Sequence, residues 1–104
     1  MTKTNSSNIR LQDLRVFDAI LSNGSITAAA EALDLTQSAV SKQLRHLRSY
    51  FGDELFVRSG RGMAATAKAL AVAPQVSALI NGFETLQGEA PFDPGDIGRD
   101  RRDG

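Results

Sequence analysis

Apolar residues recur along this chain with a helical period in four separate runs, broken by short polar segments. In the first run Leu14, Phe17, Ile20 and Leu21 build one broad apolar face from Leu11 onward. The pattern places Asp13, Arg15 and Asp18 outside that face. Asn23-Gly24 stops the run, since glycine is the usual residue just past a helix end. Ser25 is a good N-cap for a short second helix through Leu33. This helix is rich in alanine (Ala28, Ala29, Ala30, Ala32), which raises helix propensity and permits close approach of a neighbour. Asp34-Leu35 forms a turn, and aspartate can enter the left-handed backbone region that a tight interhelical turn often requires. Thr36 caps a third helix that runs to about Phe51 and ends at Gly52.

The third helix divides into two faces. Val40, Leu44, Leu47 and Phe51 fall at i, i+4, i+7 and i+11, within about 60° of one another. Ser38, Lys42, Arg45 and Ser49 fall on the opposite side. One face wants a core; the other offers cations and short hydrogen-bonding groups. Such a face suits a helix laid against a polyanion, and equally a solvated surface helix. Its neighbours add to the first reading. A short helix, a turn of about three residues and a longer helix stand in sequence, the helix-turn-helix arrangement.

Beyond Gly52, the stretch Leu55 to Arg58 favours a strand and Ser59-Gly60-Arg61-Gly62 is a turn signal. A short hairpin tipped by Arg58 and Arg61 fits a wing, with glycines that permit backbone approach to a phosphate. The plainer alternative is a surface turn with two solvated arginines. Thr66 can cap a fourth helix whose apolar positions are Val72, Val76, Leu79, Phe83 and Leu86. Steps of 4, 3, 4 and 3 give the 3.5-residue repeat of a coiled-coil seam. The helix either lies on its own domain's core or pairs two copies of the chain. Pairing is favoured, because three helices can already enclose a core. Pro74 predicts a kink or locally broken turn near residues 70–74, and Gly82 weakens the far half. No period remains after Gln87. The division expected is a disordered terminus over 1–8, a winged helix-turn-helix over 9–66, a linker and dimerisation helix over 67–87, and a disordered tail over 88–104.

Charge sharpens this picture. The 104 residues carry 12 basic and 12 acidic side chains, but unevenly. Residues 35–68 hold six Lys/Arg against two Asp/Glu, so the cation-rich part is local. There is no cysteine, hence neither a disulfide framework nor a Cys-based metal site, and no cofactor is expected. No apolar run approaches the ~18–20 residues that span a bilayer, and residues 1–8 lack an apolar signal region. A cytoplasmic protein is expected. An enzyme is not: His46 is the only histidine and lies beside Arg45 and Arg48 on the basic helix, with no positioned catalytic set. Asp53 and Glu54 are adjacent and share no helical face.

Several motifs carry a specific resemblance. They are Leu14-Arg15-x-Phe17, Gly24-Ser25-x-Thr27-x-Ala29-Ala30-x-x-Leu33, Thr36-Gln37-Ser38-Ala39-Val40-Ser41, Leu44-x-x-Leu47 and Gly52-x-x-Leu55-Phe56-x-Arg58. From about Ile9 to Pro94 the chain resembles the N-terminal part of LysR-type transcriptional regulators. The resemblance implies a mainly α, winged helix-turn-helix fold that binds double-stranded promoter DNA as a homodimer through the linker helix. It implies target sites that are interrupted inverted repeats, often with T and A at the two ends. Carried over by position, Gln37, Ser38, Ser41 and Lys42 match base- and phosphate-contacting residues. Thr27 matches a backbone contact, and Arg58 and Arg61 match the wing. Arg45, His46 and Arg48 lie further along the helix and are expected to meet phosphate or solvent.

Three departures stand out. Lys42 replaces a more usual arginine and cannot make the planar fork to guanine. Arg48 replaces a common glutamate, and Asp34 a frequent glycine. The family continues into an effector-binding domain of roughly 200 residues, a usual scale for such two-lobed domains. Phe92-Asp93-Pro94 resembles its start, but residues 98–104 do not resemble its first strand. No small-molecule pocket, and hence no ligand control, is expected in this chain. The alternative function is an interaction fragment that heterodimerises with full-length regulators through Val76, Leu79 and Phe83.

Overall fold

The local stop and start signals set the helix boundaries. A computed structural model describes residues 8–88. Helix α1 spans Leu11–Asn23 and closes at Gly24, whose φ of 78° lets its N–H reach the Ile20 carbonyl at 2.8 Å. Helix α2 spans Ile26–Leu33, with the Ser25 hydroxyl accepting the Ala28 N–H at 3.0 Å. Asp34 takes the left-handed conformation at the turn, with φ 59°. Helix α3 spans Gln37–Phe51, with Thr36 accepting the Ala39 N–H at 3.0 Å. Strands β1 (Phe56–Ser59) and β2 (Gly62–Ala65) form an antiparallel hairpin in which Phe56 faces Ala65 and Ser59 faces Gly62. Helix α4 spans Ala67–Leu86 and is capped by Thr66.

The strand starts one residue later than expected. Leu55 is fully buried and adopts φ 66°, a conformation that costs a leucine of order 1–3 kcal/mol. Burial and hydrogen bonds hold it there. Its N–H donates to the Asp53 carboxylate at 2.8 Å, and its carbonyl accepts the Thr66 N–H at 2.9 Å. Leu55 thus turns the chain out of the α3 exit and into the wing.

The core gathers the expected faces of α1 and α3 around Phe17, whose ring lies 5.3 Å from that of Phe56. Val40, Leu44 and Leu47 are buried as the pattern requires, and Ala29 and Ala30 let α2 approach closely. Each large side chain removed from water in this way contributes about 1.5–3 kcal/mol.

Three expectations need correction. Asp13 is not on the outside of α1: it is 1% exposed. As the third residue of the helix, its carboxylate turns back to accept the Arg10 N–H at 3.0 Å. It also lies 3.2 Å from His46 Nδ1 on α3. Nor do three helices close the core alone. Helix α4 inserts Ala69, Val76 and Ile80, and Arg15 on α1 pairs with Glu84 at 3.2 Å. Ile80 is absent from the 3.5-residue seam, so that seam did not reveal the inner face. The helix also runs unbroken past Pro74, which lies exposed, so no broken turn interrupts it. The expectations for the two chain ends fall mainly on residues 1–7 and 89–104, outside the described residues. Among the described residues, no helix is long and apolar enough to cross a membrane.

Candidate nucleic-acid interface

The wing reaches the start of α2 through a contact that demands glycine. A Cβ on Gly62 would overlap the Gly24 carbonyl oxygen, and the same oxygen accepts the Met63 N–H at 2.8 Å. The hairpin is thereby pinned to the turn between α1 and α2. Gly60, with φ 60°, lets the two-residue loop reverse the chain so that Arg61 sits at the tip.

This docking creates an open cleft of about 270 Å³ between α2, α3 and the wing. Five residues singled out from the sequence line it: Thr27, Gln37, Ser41, Arg58 and Arg61. Three separate elements supply them. Thr27 and Gln37 stand in the first turns of their helices, where unpaired backbone N–H groups and the helix dipole favour an anion. No acidic side chain, cysteine or histidine lines the cleft. Its polar groups are two guanidiniums, a carboxamide and hydroxyls. They can donate to phosphate oxygens and to base edges, and they offer no paired nucleophile and base.

The remaining three do not enter the cleft. Ser38, Lys42 and Arg45 are exposed on the outer side of α3. Lys42 borders a second hollow on the opposite flank, together with Arg10, Asp13, Gln43 and His46. The sequence pattern missed Arg10 and Asp13 there. The signal available was their spacing, since an acid three residues after a helix start is a capping pattern.

Arg48 turns back onto its own chain. Its guanidinium donates to the Glu54 carbonyl through Nε and to the Phe56 carbonyl through Nη2, both at 2.8 Å. Its place on the buried edge of the last turn explains this: the chain folds back across it on leaving α3. His46 likewise turns one ring nitrogen inward to Asp13. Below Arg48, Asp53 joins the loop to the cap of α4 by accepting the Thr66 hydroxyl at 2.7 Å. That hydroxyl is the main cause holding the Asp53 carboxyl below its ordinary range, followed by the Leu55 N–H. The Lys68 charge adds to the effect, and partial desolvation opposes it.

The proposed seam on α4 divides. Val76 is 3% exposed and belongs to the chain's own core, while Val72 is half-buried. Leu79, Phe83 and Leu86 face outward, at 60%, 37% and 83% exposed.

Three helices, the third followed by a two-stranded hairpin docked beside it, define a winged helix-turn-helix protein. The chain belongs to the LysR family of bacterial regulatory helix-turn-helix proteins, whose pattern its residues 11–70 match. It is 44% identical over 63 residues to nodulation protein D 2 of Sinorhizobium fredii, covering 61% of this chain and 20% of that protein. A probable transcriptional regulator of Pseudomonas aeruginosa superposes with a TM-score of 0.72 at 38% identity, over 84% of this chain and 30% of the other. The CbnR DBD–DNA complex gives a TM-score of 0.70 at 26% identity, over 78% of this chain and 92% of that one. The chain spans 20–28% of the length of the first four curated relatives it matches.

Proposed function

We propose that this chain binds double-stranded DNA as the reading part of a transcriptional regulator. In this reading α3 lies in the major groove, Gln37 and Ser41 meet base edges, and the wing arginines hold backbone or minor groove. The observation that carries it is the convergence of Thr27, Gln37, Ser41, Arg58 and Arg61 on one acid-free cleft. The likeness to a family member solved with DNA supports the same orientation. Ser38, Lys42 and Arg45 extend the surface along α3.

Binding is as a dimer, through the outward stripe of α4. Leu79, Phe83 and Leu86 are too apolar and too exposed to be explained by the chain's own core. Two copies related by a two-fold axis would read an interrupted inverted repeat. The same stripe would accept α4 of a longer relative, giving mixed dimers.

Selection of bound sites from random duplex DNA at a fixed salt concentration tests the reading. A recovered inverted repeat, with affinity that falls steeply as salt rises, is the expected result. Recovery of no sequence preference, with salt-independent capture of other LysR proteins, would replace it with the interaction-fragment reading.

A further inference from the structure

A helix seated in the major groove has a phosphate backbone on each flank, because the groove is roughly as wide as the helix is thick, about 12 Å. The cleft with the wing serves one flank of α3. On the other flank, Arg10, Lys42 and His46 surround the buried Asp13 carboxylate in a hollow of about 340 Å³. Arg10 and Lys42 are exposed, and among the described residues neither takes part in an ion pair. Lys42 and His46 stand four apart on α3 and so share a helix face. Asp13 is held in place by the Arg10 N–H, and its second oxygen is buried without a partner. His46 sits over it, with Nδ1 at 3.2 Å and the side chain 28% exposed. The ring is thus partly open to solvent.

We propose that Arg10, Lys42 and His46 form a second phosphate-binding edge, gripping the DNA strand opposite the one met by the wing, and that His46 takes up a proton in doing so. The inference rests on the DNA-binding reading above. Its logic is the inventory of ring protons. A ring that turns Nδ1–H toward a carboxylate can also donate from Nε2 only as imidazolium. Phosphate contact and protonation are therefore linked. The charged groups near the ring are Asp13 from α1, Arg10 ahead of α1, and Lys42 and the adjacent Arg45 on α3. The arriving phosphate adds a second negative charge beside it.

The chain is well suited to a test. His46 is its only histidine and it has no cysteine. Imidazole is the side chain whose charge ordinarily changes between about pH 5 and 8. Affinity of the whole chain for a mixed-sequence duplex would be measured across that range at fixed ionic strength, beside His46→Gln and Arg10→Gln. The parent should weaken with rising pH, approaching tenfold per unit, the limit for one linked proton. Calorimetry of the parent in buffers of different ionisation enthalpy should read proton uptake, which needs no variant to fold. His46→Gln should bind with a flat pH profile, and Arg10→Gln should lower the salt slope by about one contact. A purely structural Asp13–His46 contact would change unfolding with pH and leave both binding readouts flat. DNA binding by the parent without proton uptake, or a His46→Gln profile as steep as the parent's, overturns the inference. No binding at any pH removes the DNA-binding reading itself, and this inference with it.

Discussion

Replacing Arg48 by methionine removes two hydrogen bonds that join the end of α3 to the root of the wing. The Phe56 carbonyl belongs to a residue packed fully in the core, while the Glu54 carbonyl sits in an exposed loop. A hydrogen bond from a charged donor contributes about 1.5–3 kcal/mol when well shielded. The Arg48 side chain is one-third exposed, so solvent competes and about 1 kcal/mol for each bond is the reasonable figure. The loss for Arg48→Met is then about 2 kcal/mol, with the aliphatic packing largely kept. Arg48→Lys retains the charge but presents a compact ammonium in place of the planar fork, so it should lose about half as much. Arg48→Glu, which installs the residue common at this place in the family, should be the worst of the three. It sets a carboxylate against two carbonyl oxygens and near Glu54, whose own carboxylate lies 3.5 Å from Arg48. Urea unfolding would give the order, read from midpoints at constant slope. Hydrogen exchange at the wing amides should quicken in the same order. The reasoning fails if Arg48→Met stays within about 0.5 kcal/mol of the parent, the range of an ordinary surface change. It fails also if lysine serves as well as arginine.

Gly62→Ala should destabilise by about 1–3 kcal/mol, by forcing the wing off the Gly24 carbonyl and breaking the Met63 bond. Gly60→Ala meets open space and should cost only its backbone strain, about 1 kcal/mol. Equal thermal shifts for the two would show that close approach is not what Gly62 provides. The Asp53 carboxyl is held below its ordinary value of 3.8. Its contribution to stability is therefore present above that value and lost as pH falls through the lower, folded one. Thr66→Val removes the largest cause, so carbon NMR should find the Asp53 titration moved up toward 3.8; an unmoved midpoint refutes the assignment. On α4, Leu79→Asp with Phe83→Asp should give folded monomers by sedimentation, whereas Val76→Asp should unfold the chain. A dimer that survives the double change places the interface elsewhere.

What the sequence made legible was local. Ser25, Thr36 and Thr66 each cap the helix expected of them, because a cap is decided by the hydroxyl and the amide three residues on. The buried face of α3 followed from spacing alone. The five residues of the cleft were identifiable through type, position and family likeness, though not their meeting. That depends on Gly62 touching Gly24, a contact between distant residues with no periodic trace. Asp13 was misplaced because charge normally means exposure, and a helix start is where this rule gives way to capping. Arg48 was expected to meet phosphate or solvent; it stays one-third exposed but also bonds to its own chain, which the helix pattern did not show. A cation on a basic helix suggests phosphate, yet the chain's own return path put two carbonyls within its reach.

Helix α4 carries the remaining consequence. Its apolar residues do not form one seam: Ala69, Val76 and Ile80 are buried in the core, and Leu79, Phe83 and Leu86 are exposed. A helix held to α1 along its inner face, and tied there by Arg15 and Glu84, is not a loose tether. If its outer stripe pairs two copies as proposed, the two α3 helices are joined through packed contacts at every step. Their separation and relative rotation are then properties of the dimer before DNA arrives. Such a dimer would tolerate little variation in the spacing between half-sites. Inserting base pairs between half-sites should therefore weaken binding sharply, recovering only when both halves return to the same face of the duplex and the DNA bends to bring them together. A loosely hinged α4 would instead accept several spacings with similar affinity, and that result would contradict the rigid docking of this helix.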